Sequence, residues 1–374
     1  MQQSFLAVFL LAITLPITAA ELSATNAPRF RAVISPEVQR DRSVIFRRQA
    51  RNATNVIVSG EWSTNSTSLN LDTNGVWSGT AGPLNPGIYG YSFTVDGLQM
   101  LDPANPALKP MRSPRTSILE IPGETLLPYD FDPVIAHGTV RQHTYFSKSL
   151  DRTRSLHVYT PPQYDQKRFS KFPVLYLLHG AGDNDATWSE FGRAHFILDN
   201  LLAHKKARPM VIVMTDGHAL LQTGGFGTNA FLKSVAAFER DLLKEVLPFV
   251  ERNYRVRRDR GSRAIAGLSM GGGQSLLVGL NHLELFAWVG AFSSFAPDPE
   301  QTLASALADG TKTNKRLKLL WIACGKDDFL VDRNKSLDET LTRHGVTHVF
   351  KITEGKHQWP VWRAYLGEVL HQLF

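Results

Sequence analysis

At 374 residues the chain is long enough for two hydrophobic cores. Its 43% apolar and 20% charged residues are those of a folded soluble protein, and its net charge of +7 is too scattered to form a nucleic-acid-binding face. A single cysteine, Cys324, excludes an internal disulfide and sits in an apolar strand pattern that suits packing.

Residues 1–20 read as an export signal. An apolar core from Phe5 to Leu15 is followed by Pro16 and by Thr18-Ala19-Ala20, small residues suited to cleavage before Glu21. The core is too short for a bilayer span of about 20 residues. A secreted or periplasmic product without stable membrane insertion is expected.

Residues 21–32 read as a loose start, and from Ser35 to Gly123 the texture is all-β. Short apolar runs (Ser43–Arg47, Asn55–Ser59, Tyr89–Val95, Ser117–Ile121) alternate with turn clusters such as Asp72-Thr73-Asn74-Gly75, Asn85-Pro86-Gly87 and Asp96-Gly97. Regular short strands with such turns predict a small immunoglobulin-like β-sandwich over 21–123. Residues 124–136, with two prolines and no periodicity, read as a linker draped on the surface. From His137 to Phe374 strands and helices alternate, which predicts a mostly parallel sheet with flanking helices. Expected strands are Leu156–Thr160, Pro173–Leu178, Met210–Met214, Arg263–Ala266, Ala287–Phe292, Leu317–Cys324 and His348–Ile352. Expected helices are Arg193–His204, Leu232–Asn253, Met270–His282, Asp332–His344 and Val361–Phe374.

The chemistry centres on Gly267-Leu268-Ser269-Met270-Gly271, a G-x-S-x-G pattern between an apolar strand and an amphipathic helix. Such a turn exposes a serine for nucleophilic attack. A serine hydroxyl needs a base to take its proton and an acid to orient that base. Asp327 and Asp328 follow one later strand and His357 follows the next, in the order Ser, Asp, His. His344 and His348 fall at a helix end and a strand start, so His357 is the better base. The residues alone leave the acid open between Asp327 and Asp328. An oxyanion hole takes one N–H from Met270, after the nucleophile, and a second from the loop His179-Gly180-Ala181-Gly182.

Two resemblances extend this reading. The first segment resembles early-set modules related to glycogen-binding domains, on Val58-Ser59-Gly60-Glu61-Trp62, Gly75-Val76-Trp77, Leu84–Tyr91 and Val95-Asp96-Gly97. Leu98-Gln99 stand where sugar-binding members carry a stacking aromatic, so Trp62 and Trp77 are expected to pack the sandwich, which serves as a wall. The remainder resembles the esterase D-like α/β-hydrolases, in particular carbohydrate esterase family 1. The matching stretches are Ser155–Asp165, Tyr176-Leu177-Leu178-His179-Gly180, Arg263–Gly272, Cys324-Gly325 with Asp328, and Gly355-Lys356-His357 with Trp362. Lys356 departs from the second glycine that commonly precedes this histidine. The resemblance selects Asp328 as the acid and Ala181 as the second oxyanion donor. It implies an α/β-hydrolase fold and a feruloyl or acetylxylan esterase acting on a polysaccharide-linked ester, with neither metal nor organic cofactor. Trp188, His218, Phe226 and Trp359, with Trp362, are candidate substrate contacts on post-strand loops. A siderophore esterase of the same fold is the alternative within the class, and a non-catalytic carbohydrate-binding protein the alternative outside it.

Overall fold

The computed structural model describes residues 33–220 and 227–374. The expected export signal and Phe226 lie outside the described residues. Two antiparallel sheets make up the first module. One runs Glu37–Val38, Val44–Gln49, Val76–Ala81, Asn70–Leu71; the other pairs Thr67–Ser68, Val56–Gly60, Gly87–Val95 and Leu98–Met100, with Ser117–Ile121 paired to the first half of Gly87–Val95 on the same edge as Leu98–Met100. Val44 and Phe46 alternate with half-buried neighbours, as a strand covered on one face requires. Their side chains meet Val56, Val58, Tyr91 and Phe93 in a shared core. Trp77 is buried there and donates its Nε1–H to Ala50 O at 2.9 Å, while Trp62 stacks on Phe46 at 5.5 Å. Both tryptophans are packing residues.

Gly87–Val95 is buried along most of its length. The reason is that its outward face is covered: Ile88 belongs to the core of the second module. Residues 34–374 accordingly form one compact unit.

The second module is an eight-stranded sheet. We label its strands β1 (Thr139–Ser147), β2 (Arg152–Thr160), β3 (Val174–Leu178), β4 (Val211–Thr215), β5 (Arg263–Leu268), β6 (Trp288–Phe292), β7 (Leu319–Gly325) and β8 (Val349–Thr353). Their order is β1-β2-β4-β3-β5-β6-β7-β8. β2 pairs antiparallel with both β1 and β4, and every later pairing is parallel. Parallel neighbours need crossovers, and helices supply them: α1 (Ala194–Ala203), α2 (Thr228–Asp241), α3 (Met270–Asn281) and α4 (Val331–Arg343), while α5 (Trp359–Gln372) follows the last strand. β3, β4 and β5 are buried throughout, as strands covered on both faces must be. The α/β-hydrolase expectation holds, with the antiparallel β1 and short helices between Pro299 and Arg316 added.

Residues 124–136 are tied down. Asn200 donates its side-chain amide to Pro128 O and Asp130 O, each at 3.0 Å, and the Arg363 guanidinium stands 5.0 Å over the Tyr129 ring.

Candidate active site

β5 ends at Leu268 and hands the chain to Ser269, the residue before α3. Ser269 has φ 52° and ψ −117°, a conformation that costs a non-glycine residue about 1–3 kcal/mol. Its surroundings enforce it. The Ser269 N–H donates to Phe292 O at 2.8 Å, tying the turn to β6. A Cβ on Gly267 would stand 2.6 Å from the Gly271 carbonyl and 2.8 Å from Leu178 O, and one on Gly271 would run into His179 O. Both glycines of the pattern are there to let backbone meet backbone.

Two loops converge on the serine. The loop after β7 carries Asp328, which is 2% exposed, and the loop after β8 carries His357. His357 Nδ1–H donates to Asp328, 2.9 Å from Oδ2 and 3.0 Å from Oδ1. Ser269 Oγ–H donates to His357 Nε2 at 3.0 Å. Burial opposes the Asp328 charge, but the bond from His357 and the Leu330 N–H, 2.9 Å from Oδ1, outweigh it. The carboxyl is held below the usual carboxylate range. Asp327 is exposed, and its N–H donates to Gly355 O at 3.1 Å. His344 pairs with Glu300 and His348 with Asp338, so neither joins the set.

Aromatic rings flank the imidazole. Phe329 lies 4.4 Å from it, and Trp362 meets it edge-on at 4.8 Å while donating Nε1–H to Ser293 Oγ at 3.0 Å. Ser269, His357, Met270 and Ala181 line one cavity of about 500 Å³. The rest of its wall is Phe231, Ser234, Phe295, Phe329, Leu330 and Arg333. The Arg333 guanidinium stands 5.2 Å over the Phe295 ring.

The expected substrate contacts need correction. Trp188, in the short helix Thr187–Glu190, and Trp359, the first residue of α5, are each 1% exposed and meet edge-to-face at 5.0 Å. Trp188 Nε1–H donates to Leu178 O at 2.9 Å. His218 is buried behind the loop after β3, where burial first, and the neighbouring His179 second, push its pKa down to about 3. Its neutral Nε2 accepts the Gly182 N–H at 3.2 Å. None of the three lines the cavity. The aromatic surface comes from Phe231, Phe295 and Phe329 instead, which the sequence reading passed over. Phe329 directly follows Asp328 and is 75% exposed; its place beside the acid was the available signal. Cys324 is buried with its thiol pushed up to about 12, first by burial and then by the charge of Asp328, so it is a packing residue.

Residues 147–373 match the Esterase family. The chain belongs to that family. An endo-1,4-beta-xylanase/feruloyl esterase of Xylanibacter ruminicola is 34% identical over 347 residues, which cover 91% of this chain and 46% of the relative. The chain thus spans about half the length of that relative. An acetyl esterase of Caldicellulosiruptor saccharolyticus is 25% identical over 270 residues, 61% of this chain and 95% of the other. Among solved structures, a CE1 ferulic acid esterase from Anaeromyces mucronatus in complex with ferulic acid gives a TM-score of 0.59 at 25% identity, covering 66% of this chain and 94% of that one.

Proposed function

We propose that this chain is a secreted serine esterase hydrolysing feruloyl or acetyl esters on a plant cell-wall polysaccharide such as xylan. The observation that carries the reading is the continuous hydrogen-bond chain from Ser269 Oγ through His357 to Asp328 at the wall of the 500 Å³ cavity. In the reaction, Ser269 Oγ attacks the ester carbonyl while His357 Nε2 takes the hydroxyl proton. Asp328 keeps Nδ1 protonated and stabilises the imidazolium. The N–H groups of Met270 and Ala181 hold the oxyanion. His357 then returns the proton to the leaving alcohol, and a water it deprotonates hydrolyses the acyl-enzyme.

The feruloyl esterase and acetyl esterase relatives supply the substrate class. Three phenylalanines around the cavity give an aromatic acyl group apolar surface to bury. Purified Ser269→Ala should lose activity on p-nitrophenyl acetate, and full activity in that variant would refute the reading. A paired assay of acetate release from acetylated xylan and ferulate release from methyl ferulate identifies the acyl group. Cleavage of a siderophore ester with neither release would refute the polysaccharide assignment.

A further inference from the structure

The loop Gly180–Asp183 carries the Ala181 N–H and lies against the elbow: a Cβ on Gly180 would stand 3.5 Å from Ser269 Cβ. The loop has glycines on both sides of Ala181 and is closed on itself only through the Gly180 carbonyl, which lies 3.3 Å from Asp183 N and 2.8 Å from His179 Nδ1, so its position depends heavily on what it touches. On the hydrolase side the Gly182 N–H is fixed on His218 Nε2. On the opposite side the contacts among the described residues come from the β-sandwich. Arg112 N–H donates to Gly182 O at 2.9 Å, and Met111 forms an antiparallel bridge with Asp183. Lys109 Nζ stands 3.3 Å from Asp183 Oδ1, both side chains nearly buried, and 5.1 Å over the Phe191 ring. Thr187 Oγ1–H closes the contact on Pro110 O at 2.6 Å. The Lys109–Arg112 segment is itself anchored in the sandwich: Lys109 N–H donates to Thr116 O at 2.9 Å and Ile118 N–H to Ala107 O at 2.8 Å, at the start of the strand Ser117–Ile121.

We infer that the β-sandwich is part of the catalytic unit, with Lys109 a positioning residue that sets the oxyanion loop through Asp183. This rests on the esterase reading above. No sandwich residue lines the described cavity, so the effect reaches a substrate too small to touch the sandwich.

The test is the full-length chain with Lys109→Met, which keeps the stem against the aromatic rings and removes the charge. The expected result on p-nitrophenyl acetate is a kcat lowered about 10²-fold, as for a misplaced donor, with KM within about twofold and a cooperative melt well above the assay temperature. Burying Asp183 without a partner can cost enough to unfold the chain. Lys109→Met/Asp183→Leu removes that cost, and the same kcat loss is expected from it. A folded variant of either kind with wild-type kcat overturns the inference. A loss confined to insoluble xylan overturns it too, because that would make the sandwich a sugar-binding module. Ser269→Ala separates the two readings. If wild-type turnover does not depend on Ser269, the esterase mechanism fails; if it does and Lys109→Met is as fast as wild type, only this inference fails.

Discussion

Asp328→Asn tests the candidate site with the least disturbance of its shape. Asn is nearly the same size, and the position is 2% exposed, so the substituted amide has to use the contacts already there. The Leu330 N–H, 2.9 Å from Oδ1, demands an acceptor and fixes the amide oxygen at that site. The amide NH₂ then takes the Oδ2 place, 2.9 Å from His357 Nδ1. Two donors cannot face each other at that distance, so Nδ1 gives up its proton and Nε2 carries it. Nε2 then points an N–H at Ser269 Oγ, 3.0 Å away, and cannot accept the hydroxyl proton. Loss of the correct tautomer in such a triad lowers kcat about 10⁴-fold, roughly 5 kcal/mol of transition-state stabilisation. The measurement is kcat on p-nitrophenyl acetate at pH 7, with near-UV circular dichroism to show the fold is intact. A folded Asp328→Asn protein within tenfold of wild type would refute the assignment of Asp328 as the orienting acid.

Three further outcomes are expected. The folded pKa of Asp328 lies below its ordinary value, so its contribution to stability is fully present above the unfolded value of about 3.9 and is lost as pH falls through the lower folded value. Urea melts should therefore show the stability gap between wild type and Asp328→Asn narrowing from pH 7 to pH 3; a constant gap would contradict the pairing. Phe329→Ala removes an exposed ring 4.4 Å from His357 and should raise KM for aromatic acyl esters several-fold without lowering the melting temperature, whereas acetyl esters should be little affected. Gly267→Ala places a methyl 2.6 Å from the Gly271 carbonyl, a backbone neighbour that cannot swing aside, and should cost about 1–3 kcal/mol or more by overpacking. Gly227→Ala, with nothing among the described residues within 4 Å of its new Cβ, is the control and should melt close to wild type.

What was legible in the sequence follows from where chemistry can sit in a parallel sheet. Ser269 and Asp328 each follow a buried strand and His357 a half-buried one, and the β-prone run of each is visible in the sequence and announces the loop that must carry polar groups to the surface. β1 lacked such a run because it is an edge strand whose inward places are taken by His143, Tyr145 and Ser147 while Phe146 faces out, so its alternating burial is not written in apolar residues. Trp188 and Trp359 misled for the opposite reason. They follow strands, as substrate contacts would, but both stand at helix starts, where the large apolar area of an indole is better buried in the core than left at a cavity rim. Phe329, smaller and held beside Asp328, took the exposed place. Lys109 and Asp183 were beyond reach because a lone lysine in a β-module and a lone aspartate after β3 carry no pattern that pairs them. Only the docking of Ile88 and Lys109–Arg112 onto the hydrolase brings the two together. A triad can be read from local strand signals, whereas the setting of the loop that completes it is a property of how the two modules pack.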